Sequence, residues 1–317
     1  MKRLAAVLIS LVALQAGAQD YPTRNVTLVN SFAAGGPTDV YLRPIAARLQ
    51  EWLGQPFVVE NRTGASGAIA AQFVAKSPPD GHTLLIISNT HTINETLQLN
   101  RNYVLMRDFA PVTGLFSTDH VVGVHPNVPA KTLAEFVAYA KKNPGKLSFA
   151  SSGNGSSYHL AGEMFKSVAG VDMLHVPYKG SGQARTDLLG GRVDVMFDLT
   201  SGLAPHFQAG KLRGLATTAE KRSVLTPDIP TTTEAGLPAY RVEAWTAVLA
   251  PAGTPEPVLN KLHQAILKFM ESPEGQKIAA SQGNTVLGKP PAETAKFMRA
   301  EIDKWAGVIK AANLKPE

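Results

Sequence analysis

Residues 31–39 read Ser31-Phe32-Ala33-Ala34-Gly35-Gly36-Pro37-Thr38-Asp39, and the fold class follows from how this stretch is read. Val26–Asn30 before it is rich in β-branched residues and predicts a strand. Ala and Gly then let the backbone approach a neighbour closely, and Pro37 suits the first position of a helix. The stretch is therefore a strand–loop–helix junction. A helix start exposes free N–H groups and a partial positive charge, a seat for a carboxylate that needs no Arg or Lys. The other reading is a plain turn, with Asp39 serving the helix dipole. Both readings stand at this point.

Moving outward, the same alternation recurs along the chain. Strands are expected at Phe57–Glu60, Thr83–Ser88, Lys146–Ala150, Met173–Pro177, Val193–Phe197 and Leu212–Thr217, with amphipathic stretches between them. That order predicts an α/β fold with mostly parallel sheets. Thr132 with Glu135 reads as a capping box ahead of Leu133, Phe136, Val137 and Ala140, and Pro144-Gly145 stops that helix. Leu160, Met164, Phe165 and Val168 line a second helix closed by Gly170. Further on, Val258, Leu262, Ile266 and Phe269 mark one helix, and Met298, Ile302, Trp305 and Ile309 a final long one.

A chain of 317 residues exceeds the usual single core, so two lobes are expected. His120–His125 and Arg241–Pro251 are the candidate crossings. They divide the chain into a discontinuous first lobe, about 20–121 plus 246–317, and a second lobe, 122–245. Such a division suits hinge closure over a cleft.

Residues 1–18 read as a cleaved secretory signal. Lys2 and Arg3 precede an apolar run, Leu4–Leu14, and Ala16-Gly17-Ala18 supplies the cleavage pattern. The run falls short of the roughly 20 residues a membrane helix needs. Cysteine is absent, which removes disulfides, thiol nucleophiles and thiolate metal sites. The net charge of +6 suits steering of an anion. It is too diffuse for nucleic acid, with Lys141-Lys142 and Lys221-Arg222 reading as solvated surface.

Gly, Ser, Thr and Asn collect directly after strands, at 31–39, 61–67, 88–92, 151–157, 179–182 and 198–202. Ligands in open α/β sheets bind outside the carboxyl ends of strands. Ser151-Ser152-Gly153-Asn154-Gly155-Ser156-Ser157 repeats the form of the opening stretch, so two facing helix starts would hold a diacid at both ends. His159 beyond it fits packing or ligand contact. Asp198, at a strand end, is better placed for a site than Asp194 within the strand. Enzyme motifs are missing: Gly64-Ala65-Ser66-Gly67 is not a nucleophile elbow, Lys179-Gly180-Ser181-Gly182 is not a P-loop, and the eight histidines lack metal-binding spacing. No metal or cofactor is expected.

These residues resemble a known family. Phe32–Asp39, Leu53-Gly54-Gln55-Pro56, Val59-Glu60-Asn61-Arg62, Pro79-Asp80-Gly81, Asp108–Val112, His159–Glu163, His175–Gly180, Met196-Phe197-Asp198 and Ala250–Pro255 match, in order, the Bug-type extracytoplasmic solute-binding proteins. Those proteins are the receptor components of tripartite tricarboxylate transporters. The resemblance implies a type II periplasmic-binding-protein fold, two α/β lobes on a two-stranded hinge with the ligand cleft between them. It implies a carboxylate held by Phe32, Ala33, Ala34, Gly35, Gly36, Thr38 and Asp39, largely through amides and waters. The second-lobe contacts would fall on Ser151, Ser152, Gly153, Gly155, Ser156 and His159, with Lys179, Gly180 and Asp198 near. Ser88 and Asn89 match the family's rim loop, while 94–104 departs from it. The expectation is a monomeric, non-enzymatic periplasmic receptor that hands a small mono- or dicarboxylate to membrane permease subunits. The alternatives are a sensor for a membrane kinase and a secreted serine hydrolase using Ser156 or Ser66.

Overall fold

The computed structural model describes residues 21–316, so the expected signal segment lies outside the described residues. Strand β1 (Val26–Asn30) pairs in parallel with β2 (Phe57–Asn61) and with β3 (Thr83–Ser88). Strand β3 is a nearly continuous apolar run because helices cover both of its faces. Next comes β4 (Phe109–Val124), then β5 (Ser148–Ser151), β6 (Leu174–Pro177) and β7 (Val195–Leu199). The set is completed by β8 (Arg213–Thr217), β9 (Glu243–Pro251) and β10 (Asn284–Val286). The path runs β2-β1-β3-β9-β4-β7-β5-β6, with β8 and β10 also on β4.

Helix α1 (Pro37–Leu53) buries Tyr41, Leu42, Ile45 and Leu49. It ends at Gly54, whose φ of 76° returns an N–H to Gln50. Against it packs α9 (Glu256–Glu271), through Val258, Leu262, Ile266 and Phe269. Between these two in sequence lie α2 (Ala68–Ala75), α3 (Asn89–Leu97), α4 (Leu105–Asp108), α5 (Leu133–Lys142), α6 (Ser157–Ala169), α7 (Ser181–Leu189) and α8 (Thr200–Gln208). After α9 come α10 (Pro273–Ser281) and α11 (Pro291–Ala311). Thr132 caps α5 as expected, but the Glu135 carboxylate takes the amide of Lys131 and not that of Thr132, so only half the capping box forms. Asp194 is structural: its carboxylate accepts from the Ser148 amide and hydroxyl, tying β5 to the start of β7.

Strand β4 joins the two halves of the molecule. Its first part pairs with β9 and β10, and residues 120–124 pair with β7 and β8. The sequence reading missed most of it because Pro111, Gly114 and Gly123 interrupt the alternation. Register shifts at Pro111/Thr113 and Gly114/Ser117 absorb those residues. Helix α11 also serves both halves. Met298 belongs to the core around Val29, Leu85 and Trp245, whereas Trp305 and Ile309 belong to the core around Phe165 and Tyr240.

Where β4 and β9 cross between the halves, Asp119 lies directly opposite Glu243. Burial pushes the Asp119 carboxyl up to about 6, against the opposing hydrogen bond from Thr200 at 2.6 Å and with some help from the Glu243 charge. Burial raises Glu243 as well, with the Lys304 ammonium opposing and Glu301 and Glu220 adding. An acid whose pKa is raised in the folded state binds its proton more tightly there, so its contribution destabilises the fold as pH climbs through the window from 3.8 to about 6. That gap corresponds to about 3 kcal/mol. Between pH 7 and pH 4 the Asp119 contribution therefore favours the fold on acidification, whereas His91, His120, His159 and His175, whose pKa values burial lowers, oppose it. Asp119→Asn should accordingly lose more stability on acidification than wild type. Urea midpoints at both pH values check it: equal pH dependence in both proteins would refute the assignment.

Candidate functional site

One cavity of about 600 Å³ lies where the two halves face each other, outside the strand ends. Helix starts converge on it. Pro37 and Thr38 open α1, Asn89 and Thr90 open α3, Ser157 and Tyr158 open α6, and Ser201 comes from the first turn of α8; all line its wall. The α1 start has no side-chain cap, because Gly36 stands at its N-cap; Pro37 has no N–H and the Asp39 amide turns back to the Gly36 carbonyl, which leaves the Thr38 amide for a ligand. By contrast, Ser88 and Ser156 cap α3 and α6 with their own hydroxyls.

The loop before α1 is shaped from behind. Gly35 takes φ of 75°, a conformation other residues rarely adopt, and Gly36 closes a turn onto the Ala33 carbonyl. The Asp39 carboxylate sits beneath, accepting from the Gly35 amide at 2.9 Å, the Asn30 and Asn61 amides at 3.1 Å and the Arg43 guanidinium at 2.9 Å. Burial would raise its pKa, but the Gly35, Asn61 and Arg43 donors outweigh it and hold it at about 2. Ser31 donates to the Ile86 carbonyl. Its oxygen also lies 3.3 Å from His91, a ring that burial holds neutral, with its pKa down to about 4.

Among the described residues lining this cavity, none carries a formal charge. Five rings do line it: Phe32, Tyr41, Phe116, Tyr158 and Trp245. Tyr41 is tied to Thr246 by a 2.9 Å hydrogen bond and packs on Phe116 at 4.8 Å. The Trp245 indole donates to Glu301 at 2.9 Å. A cavity of this kind offers helix-end amides and hydroxyls for one anionic group, and aromatic faces for the rest of the ligand.

Of the expected site residues, Phe32, Ala33, Thr38, Ser88, Asn89, Ser152, Gly155 and Ser156 line the cavity. Ala34, Gly35 and Gly36 shape the turn beside it, and Asp39 lies behind that turn. Ser151 is fully buried behind the second loop, accepting from the Gly153 amide. His159 lines an adjoining cavity instead. Lys179 is exposed and Gly180 precedes α7; neither lines either cavity. Asp198 is fully buried and paired with Arg185 at 2.5 Å. Sequence reasoning did not find Tyr41, Phe116, Thr118, Tyr158, Trp245, Thr246, Gln282 or Asn284. Thr63, Gly64, Ser66 and Ser201 did carry a signal, lying in the Gly/Ser clusters after strands.

Residues 41–314 match the model of the tripartite tricarboxylate transporter family receptor. The chain belongs to that family. A curated relative of this receptor, Protein BugT of Bordetella pertussis, is 35% identical over 322 residues, covering 99% of each chain. Two solved proteins of Rhodopseudomonas palustris superpose closely. One, Rpa4515 with adipate, is 38% identical with a TM-score of 0.81 and covers 94% of this chain and 100% of its own. The other, MatC with bound malate, is 35% identical with a TM-score of 0.76 and covers 91% and 100%. The α/β architecture of this receptor is that of periplasmic solute-binding proteins.

Proposed function

We propose that this chain is a periplasmic, non-catalytic receptor that captures a small mono- or dicarboxylate and hands it to the permease subunits of a tripartite tricarboxylate transporter. The carrying observation is the cavity itself: several helix starts, no formally charged side chain, and five rings. Charge-assisted hydrogen bonds from helix-end amides suit a carboxylate, and the rings suit an apolar body. The adipate and malate held by two relatives agree with that class. In this reading the loop 32–39 holds the acid from one lobe, 20–121 plus 246–317, and the loop 151–157 from the other, 122–245. Closure about β4 and β9 buries it, and the protein works as a monomer.

A thermal-shift screen tests the reading. An acid at 100 times its Kd is expected to add about 2.7 kcal/mol of stability. Trp245 lines the cavity, whereas Trp305 is fully buried and Trp52 packs under Lys268. Binding should therefore change the tryptophan emission in a saturable way, and Trp245→Phe should lose that signal while keeping the thermal shift. Stabilisation by neutral sugars with none by any acid would sink the carboxylate reading.

A further inference from the structure

A second cavity, of about 450 Å³, adjoins the first. Ser66, Asn154 and Gly155 line both, so the two chambers share a wall of small polar residues. The second chamber is chemically unlike the first. One side is α6, presenting His159, Glu163 and Lys166, and His175 of β6 stands beside them. The opposite side is the end of α3, with Asn94 and Gln98, and the segment after α11, which adds Lys315. Charged groups that are missing from the first wall are gathered here.

Their arrangement leaves donors directed at a guest. The Nδ1 atom of His159 accepts from the Gly155 amide at 3.1 Å, which places the proton of the neutral ring on Nε2. That Nε2–H lies 4.0 Å from the Glu163 carboxylate, beyond hydrogen-bond reach. Burial keeps His159 neutral, with its pKa down to about 4, and the Lys166 charge pushes the same way. The His159 and His175 rings stack at 3.9 Å, and His175 is tied to Ser151 at 2.7 Å, so neither ring is free to swing away. Lys166 is largely buried and spends one donor on Glu163 at 3.1 Å, which leaves two N–H groups on the ammonium. Glu163 opposes an anion, but Lys166 and Lys315 outnumber it.

We propose that this chamber receives the far, anionic end of an elongated diacid whose near carboxylate sits at the helix starts of the first cavity. The receptor then selects dicarboxylates with an apolar spacer, and selects them by length. This rests on the carboxylate-receptor reading above and deepens it. Lys166 and the His159 Nε2–H supply the distal contacts, while the rings of the first chamber hold the spacer.

Isothermal titration calorimetry tests it with the purified receptor, a series of straight-chain diacids from succinate to sebacate, and the monoacids of matching length. Diacid affinity is expected to climb at least about tenfold above that of the matching monoacid once the chain is long enough to reach the second chamber. Lys166→Gln should lose that advantage and leave monoacid affinity unchanged. Glu163→Gln should act in the opposite direction and tighten the long diacids, because it removes a repelling charge. A structural role for the pair would not produce opposite signs. Equal affinities of diacids and monoacids at every length, or a Lys166→Gln variant that weakens both alike, would overturn the proposal and leave carboxylate capture standing. If no acid of any length binds, carboxylate capture itself fails and this inference fails with it.

Discussion

Replacing Asp39 with Ala is expected to weaken acid capture by at least about 100-fold and to destabilise the fold by about 3 kcal/mol. Asp39 does not line the cavity; it holds the loop that does. Its two oxygens accept from Gly35, Asn30, Asn61 and Arg43, and its side chain is 6% exposed. Truncation leaves the Asn30 amide without an acceptor, leaves Asn61 only the Phe32 carbonyl and frees the Gly35 turn, so the α1 start no longer converges with the other helix starts. Hydrogen bonds to a charged partner are worth about 1.5–3 kcal/mol each, although their losses do not simply add. The Arg43 pair makes a sensitive control. The Arg43 side chain is 54% exposed, so Arg43→Met should cost under about 1 kcal/mol. Calorimetric titration together with urea denaturation separates the two effects, and wild-type affinity in Asp39→Ala would remove the loop from the site. The same carboxylate also carries a pH signature. Its pKa is depressed to about 2, so its stabilisation is present above its ordinary 3.8 and is lost as pH falls towards 2. That window lies below the one assigned to Asp119 and has the opposite sign.

What was legible in the sequence follows from the range of each interaction. Turn chemistry is local: Gly35, Gly36 and Pro37 announce a strand–helix junction within a few residues, and the structure places that junction at the cavity. The central parallel strands were legible because both of their faces are buried, leaving continuous apolar runs such as Leu84–Ile87. Strand β4 was not, because its irregular alternation matches a path through two halves of the molecule and not one sheet face. The aromatic lining was hidden for a different reason. Tyr41, Phe116 and Trp245 look like ordinary core residues, and only the tertiary arrangement turns part of each ring to the cavity. Trp245 depends on Glu301, 56 residues away, for its orientation. His159 was visible as a candidate, but its chamber is completed by residues 312–315, which no local pattern links to it. Asp198 was misleading because a polar residue at a strand end looks like a ligand contact, yet its partner is the Arg185 of α7.

That partnership makes Asp198→Ala the most damaging single change expected outside the apolar cores. Asp198 is fully buried, and its carboxylate engages Arg185 in two contacts, at 2.5 Å and 3.0 Å, while also accepting from the Leu199 amide at 2.7 Å. The Arg185 guanidinium is itself wedged over the start of α8: a Cβ added at Gly202 would fall 2.3 Å from it. Removing the carboxylate therefore strands a cation that packing holds in place. Breaking a buried pair from one side costs about 3–5 kcal/mol, a fall in Tm on the order of 10 °C. Removing both charges is a different matter, because a buried ion pair often contributes little beyond a hydrophobic pair of similar volume. Asp198→Leu combined with Arg185→Met is accordingly expected to recover most of the loss. Binding should respond separately. Leu199, Ser201 and Tyr158 line the cavity around this pair, so the double variant is expected to fold and yet hold acids more weakly than wild type. Thermal melts of the two single variants and the double, followed by titration well below each Tm, check both halves. A single Asp198→Ala variant that melts within about 2 °C of wild type would mean the pair does not hold the fold, and wild-type affinity in the double variant would mean it does not support the site.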